Sequence, residues 1–146
     1  MAKSKLFEEV KAYAQGIIDG TIIANEDRIL AAKRFFRDLE NPKYEMRTRD
    51  ADFVIKIIEA TFVHVKGPKK GEPFLLEPWQ KFICYNLAGF YYKGTNERRF
   101  KEAFIFLPRK NSKTFFASAL AWAMSLLERK YYSVLYIIAS KLDRAL

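Results

Sequence analysis

The turn that decides the predicted fold spans residues 107–114 and reads Leu-Pro-Arg-Lys-Asn-Ser-Lys-Thr. It follows a continuous apolar run at 103–107, which is typical of a buried parallel strand. An apolar segment rich in alanine and leucine at 115–128 predicts a helix, and a second β-prone run follows at 132–139. Strand, turn, helix and strand in this order predict a βαβ unit with a right-handed crossover, and therefore an α/β fold.

A polar turn between a buried strand and a helix is the setting in which P-loop proteins hold phosphates. In the pattern G-x-x-x-x-G-K-[ST], the lysine reaches the β- and γ-phosphates and the hydroxyl residue holds Mg²⁺. Lys113 and Thr114 fill these positions, whereas Leu107 and Ser112 stand where the pattern has glycine. Asn111 tolerates a left-handed backbone and so keeps a tight turn accessible. The pattern alone leaves two interpretations open, a phosphate-binding loop and a basic turn that faces water.

Helical periodicity dominates the chain before this turn. Apolar residues at steps of three and four predict helices over 5–19, over about 25–39 with Asn25 as its cap, and over about 48–65. Pro78 suits the first turn of a fourth helix that runs to about Tyr91. The prediction is a helical N-terminal part at about 1–92, followed by the βαβ unit at about 98–146.

Composition bounds the classes of function. The chain has 146 residues, and 26 lysines and arginines against 17 acidic residues give a net charge of +9, which favours polyanionic partners. A single cysteine, Cys84, and a single histidine, His64, exclude an internal disulfide, a cysteine-based zinc site and a histidine cluster. No apolar run reaches membrane-span length and the N-terminus is not a signal peptide, so we expect a soluble protein of a reducing compartment.

Several segments together resemble one family. The turn at 107–114 resembles the variant Walker A segment P-R-K-N-G-K-[ST] of tailed-phage terminase large subunits. The sequence Glu-Pro-Trp-Gln-Lys-Phe at 77–82 resembles the P-W-Q segment of that family, and Arg-Arg-Phe at 98–100 resembles its R-R-F. Residues 136–140 resemble the strand that follows the Walker A helix. The resemblance covers residues 71–146 well and the N-terminal helices loosely.

The resemblance implies a fold and a function. It implies the N-terminal part of an ASCE-type P-loop ATPase domain, with an incomplete sheet, in the ATP-driven motor that packages viral DNA into procapsids. The implied cofactors are ATP and Mg²⁺. The implied partners are double-stranded DNA, a portal protein and a small terminase subunit, and the full-length protein is expected to form a homo-oligomer in the bacterial host cytoplasm.

The resemblance also assigns roles to residues. It implies that Lys113 contacts the β- and γ-phosphates, that Thr114 helps to ligate Mg²⁺, and that Arg109 couples hydrolysis to movement. Gln80 corresponds to the glutamine that hydrogen-bonds adenine, with Trp79 packing beside it. The implied nucleotide-binding residues are Trp79, Gln80, Arg109, Lys110, Asn111, Ser112, Lys113 and Thr114. Ser112 departs from the family, which usually has glycine there.

Hydrolysis needs residues beyond this loop. A P-loop ATPase uses a Walker B acid to hold Mg²⁺ and a glutamate to orient the attacking water. Within the 146 residues, no apolar run ending in paired carboxylates follows the turn, and no carboxylate cluster of a metal nuclease is present. We therefore expect the chain to bind nucleotide without hydrolysing it alone. The alternative is a non-enzymatic basic helical module that binds nucleic acid or a protein partner and carries a vestigial loop.

Two further groups of cations have open roles. Lys66, Lys69 and Lys70 lie in a loop rich in glycine and proline, where they can contact a DNA backbone or simply face water, the simpler interpretation. The role of Arg98 and Arg99 is more ambiguous, because they lie just before the predicted Walker strand and near the predicted nucleotide site.

Overall fold

The computed structural model describes residues 4–64, 67–105 and 113–128, apart from the side chains of Lys113, Thr114 and Glu128. This part of the chain is α/β, with five helices and a small sheet of two strands. The elements in chain order are α1 (Lys5–Asp19), α2 (Glu26–Glu40), β1 (Tyr44–Met46), α3 (Thr48–Thr61), α4 (Pro78–Gly89), β2 (Phe90–Tyr92) and α5 (Lys113–Glu128). None of these helices combines the length and the apolar character needed to cross a membrane.

The limits of α1 and α2 follow from local signals. The Ser4 hydroxyl caps α1 by accepting the Phe7 N–H at 3.1 Å. Gly20 ends α1 with a φ of 82°, a left-handed conformation in which glycine has no steric penalty. The Asn25 side chain caps α2 by accepting the Arg28 N–H at 3.0 Å. The predicted start and end of α1 and the predicted cap of α2 are confirmed.

The two strands were not predicted from the sequence. β1 and β2 pair antiparallel, with Tyr44 opposite Tyr92 and Met46 opposite Phe90. Each strand has only three residues, which is too short to show the alternation that marks a strand in a sequence. The helix predicted to reach Tyr91 ends at Gly89 because the chain enters β2 directly afterwards.

Gly89 lies where α4 meets the sheet, in close contact with the end of the Met46 side chain. A Cβ at this position would lie 2.5 Å from the Met46 sulfur, closer than van der Waals contact allows. The same close approach lets the Gly89 carbonyl accept the Arg47 N–H at 2.7 Å. The glycine therefore fixes how α4 sits against the start of α3.

The core forms where α4 packs between α1 and α3, with α5 against α3. The largest fully buried side chains are Tyr85, Phe35, Phe90, Phe116, Ile55, Ile58, Val10, Val54 and Cys84. Burial raises the pKa of the Cys84 thiol, so this cysteine has the character of an inert core residue.

A small polar network joins three helices inside this fold. The Ser4 hydroxyl donates to the Asp52 carboxylate at 2.7 Å, and the Tyr85 hydroxyl donates to the same carboxylate. Burial, followed by the hydrogen bond to Asp52, raises the pKa of Tyr85 above its ordinary value. The network ties the start of α1 to α3 and α4.

The βαβ prediction is only partly open to comparison. Residues 103–105 lie in the described chain and form no strand, contrary to prediction; the Phe104 side chain is 91% exposed. An apolar run becomes a strand only where a neighbouring strand completes its hydrogen bonds, and no described strand pairs with these residues. The rest of that predicted strand and the second one at 132–139 lie outside the described residues.

Candidate nucleotide site at the start of helix α5

Helix α5 begins two residues earlier than the sequence pattern predicted. Its first residues are Lys113 and Thr114, so the K-T pair occupies the first turn of the helix. The first N–H groups of a helix lack intrahelical acceptors, and the helix dipole adds positive charge there. This end of α5 thus has the backbone character that anions favour. The other four predicted loop residues, Arg109, Lys110, Asn111 and Ser112, lie outside the described residues.

The start of α4 is built around a capping box. The Glu77 N–H donates to Gln80 Oε1 at 2.8 Å, and the Glu77 side chain accepts the N–H of Gln80 in return. Pro78 occupies the first turn, where its missing N–H costs no hydrogen bond. Gln80 is 3% exposed. Its Oε1 accepts the Glu77 N–H, and its Nε2 group, which can only donate, is the part of the side chain left to hydrogen-bond an acceptor such as a ring nitrogen.

Trp79 joins the start of α4 to the start of α5. Its ring meets the Phe116 ring edge-on, with the centroids 5.8 Å apart, and its indole N–H donates to the Glu77 carboxylate. Phe116 lies three residues after Lys113, which is about one helical turn. The predicted adenine segment and the predicted phosphate end of α5 therefore meet at one corner of the fold.

A second aromatic contact fixes the other side of this turn. The Phe115 ring lies 4.7 Å from the buried Phe74 ring and 5.7 Å from Phe62, which follows α3. About two turns further into α5, the Trp122 ring also contacts Phe62, with the ring centroids 5.3 Å apart. Sequence reasoning did not find these contacts, because Phe74 sits between a loop and a helix with no periodic pattern around it. The first turn of α5 is thus held from both sides.

A cavity of about 480 Å³ opens between α1 and the first turn of α4. It is lined by Glu9, Val10, Ala12, Tyr13, Ile22, Pro78 and Lys81. Lys81 lies directly after Gln80, but its ammonium is paired with the Glu9 carboxylate at 3.0 Å. The ion pair of this lysine therefore joins α4 to α1.

Arg99 has a structural role. Its guanidinium forms an ion pair with Asp38 on α2 and lies 4.2 Å from the centre of the Tyr44 ring and 4.6 Å from that of Phe100. The Arg99 side chain is 18% exposed and that of Asp38 is 3% exposed. The sequence left the role of Arg99 open, and these contacts show that it joins the segment after β2 to α2.

The described residues contain no cluster of three histidine, cysteine or acidic side chains that could hold a metal ion by itself. A metal held by one threonine hydroxyl and the phosphates of a nucleotide requires no such cluster. The magnesium role of Thr114 stays a prediction.

Comparison with known proteins gives one finding. Residues 78–146 match the family described as terminase large subunit, ATPase domain. The match begins at Pro78, the first residue of α4, and includes the turn at 107–114 and α5. Searches among curated proteins and solved structures found no match. The resemblance to terminase large subunits is confirmed at the level of the family, and the Walker A interpretation of residues 107–114 stays a prediction.

Proposed function

We propose, from the premise that residues 78–146 belong to the ATPase domain of a terminase large subunit, that this chain binds Mg-ATP at the start of α5. The family supports a role in packaging viral DNA. That nucleotide binds at the start of α5 is our own, more specific proposal.

One observation carries the proposal. Helix α5 begins at Lys113, and the sequence just before it contains Arg109 and Lys110. Phosphate groups bind at helix N-termini because unpaired N–H groups and the helix dipole both favour negative charge. In sequence, Arg109, Lys110 and Lys113 are all within four residues of this helix end, and their positive charge is opposite to that of phosphate. No other described helix begins directly after such a run of cations.

The proposed roles divide between the two helix starts. At α5, Lys113 contacts the β- and γ-phosphates, and Thr114 ligates Mg²⁺ with them. Arg109, Lys110, Asn111 and Ser112 form the loop around the phosphates, and Arg109 couples hydrolysis to movement in the complete motor. At α4, Trp79 packs beside the adenine and Gln80 donates to it through Nε2. The edge-on contact of Trp79 with Phe116 supports this division, since it brings the two helix starts together.

The wider assignment follows the family. We propose that the complete protein acts on double-stranded DNA in the bacterial host cytoplasm. It would work with a portal protein and a small terminase subunit, as a homo-oligomer. Within these 146 residues no paired carboxylates follow the loop, so we propose binding without turnover for this chain alone.

Isothermal titration of the 146-residue chain with Mg-ADP and Mg-ATP tests the proposal. We expect a dissociation constant in the micromolar-to-millimolar range, and we expect Lys113→Ala to weaken binding at least tenfold. The reason is that the lysine is the cation closest to the transferred phosphates in a P-loop. A matched control is Lys69→Ala with Lys70→Ala, which removes more charge from outside α5 and its preceding loop and should leave nucleotide affinity within about twofold.

Two results would contradict the proposal. Equal loss of affinity in Lys113→Ala and in the control would mean that nucleotide binds through general positive charge. The absence of nucleotide binding, together with salt-sensitive DNA binding, would instead support the alternative of a basic module with a vestigial loop.

A further inference from the structure

The segment between α3 and α4 folds back on itself as a short hairpin, whose described residues are 62–64 and 67–74. The Phe74 N–H donates to the Phe62 carbonyl at 2.9 Å, and the His64 N–H donates to the Glu72 carbonyl at 2.9 Å. Val63 and Pro73 form an antiparallel bridge between these two bonds. The predicted loop therefore has two antiparallel arms joined by backbone hydrogen bonds over its described residues.

The tip of the hairpin presents two adjacent lysines. The Lys70 N–H donates to the Gly67 carbonyl at 3.1 Å, which closes a tight turn with Pro68 at its second position. Gly71 follows with a φ of 88°, a left-handed conformation suited to glycine, and its N–H donates to the His64 carbonyl at 2.8 Å. Residues 67–72 are all exposed.

The lysines at the tip differ from many cations of the described chain. Lys11, Lys81, Lys101, Arg47 and Arg99 each form an ion pair with an acidic side chain. Lys69 and Lys70 form none with the described residues. Their nearest acidic neighbour in sequence is Glu72, so the segment 66–72 has three lysines against one acid. The tip carries net positive charge that internal pairing does not use.

The base of the hairpin is joined to the proposed nucleotide helix. Phe74 is 3% exposed and lies 4.7 Å from Phe115 in the first turn of α5, while Phe62 contacts both Phe115 and Trp122. Packing of this kind leaves little freedom between the hairpin and α5. The backbone that carries Lys69 and Lys70 is therefore held in place by this packing, which lowers the entropy cost of binding a partner.

We propose that the tip of the hairpin, through Lys69 and Lys70, contacts the phosphate backbone of duplex DNA. The choice of DNA as the polyanion rests on the proposed function. The choice of this surface rests on the geometry of the hairpin. Phosphate contacts need placed cations and no base recognition, and this tight turn supplies two exposed ammonium groups that form no ion pair with the described residues. Binding at this surface is independent of DNA sequence.

The test compares duplex affinity across a salt series. Fluorescence anisotropy with a short labelled duplex is measured for the 146-residue chain and for the double variant Lys69→Ala, Lys70→Ala. Each lost phosphate contact removes about one from the slope of log affinity against log salt concentration, so the slope should fall by about 2. Affinity at low salt should fall roughly tenfold or more, equally for two unrelated sequences.

The matched control is the double variant Lys33→Ala, Lys93→Ala. Lys33 lies on α2 and Lys93 follows β2; both are exposed, so replacing them removes the same charge from another part of the surface. This control should change affinity by less than about twofold. Equal losses in both double variants would overturn the proposal in favour of diffuse attraction, and no loss in the hairpin variant would overturn it in favour of another anionic partner. Titration of the same variants with Mg-ADP keeps the two proposals separate, because failure of nucleotide binding leaves the DNA comparison intact.

Discussion

Replacement of Arg99 by alanine should lower the free energy of unfolding by about 3–5 kcal/mol. The Asp38 carboxylate is 3% exposed and has Arg99 as its ion-pair partner. The variant leaves that charge buried without its counter-ion, and it also removes the guanidinium from the rings of Tyr44 and Phe100. Urea unfolding followed by far-UV circular dichroism at neutral pH measures the change.

The neighbouring position supplies a control for the Arg99 result. Arg37 lies one residue before Asp38 on α2 and is exposed, so Arg37→Ala should cost less than about 0.5 kcal/mol. The double variant Asp38→Leu, Arg99→Met should recover most of the lost stability, because it removes both charges and keeps apolar volume. A loss below about 1 kcal/mol in Arg99→Ala would mean that the pair does not hold the segment after β2 against α2.

Replacement of Phe35 by alanine should lower the free energy of unfolding by about 3–5 kcal/mol as well. Phe35 is fully buried, and its ring lies 5.5 Å from Phe82 and 5.7 Å from Phe90. It therefore joins α2 to α4 and to β2, and its truncation leaves a cavity among rings that cannot all move into the space. The same urea experiment measures this change.

An exposed phenylalanine serves as the control for Phe35. The side chain of Phe53 on α3 is 40% exposed, so Phe53→Ala should cost less than about 1 kcal/mol. Similar losses in the two variants would contradict the arrangement of the core around Phe35.

Local signals determined what could be predicted of the fold. The cap at Asn25, the stop at Gly20 and the proline at the start of α4 act through neighbouring residues, and each is found where it was predicted. The three-residue strands and the Asp38–Arg99 pair depend on residues far apart in the chain. Asp38 is one of several charged residues on an amphipathic helix, and nothing local shows that its partner lies about 60 residues later.

The candidate site was predictable in part for the same reason. The sequence placed Lys113 and Thr114 before a helix, and the structure includes them in its first turn. The capping box engages Gln80 Oε1, and its sequence signal is the spacing of three residues between Glu77 and Gln80. The family resemblance instead indicated a contact between Gln80 and adenine. The contacts of Phe115 with Phe74 and of Phe116 with Trp79 follow from tertiary packing alone.

Nuclear magnetic resonance of the 146-residue chain during Mg-ADP titration tests the central claim most directly. The chain has two tryptophans, Trp79 beside the proposed site and Trp122 nine residues into α5, roughly 13 Å along the helix from Lys113. Nucleotide at the start of α5 should shift the Trp79 indole signal and the amide signals of residues 113–116, with the Trp122 indole signal nearly unchanged. Saturable shifts that bypass Trp79 and residues 113–116, or no shift at millimolar nucleotide, would contradict a nucleotide site at this end of the helix.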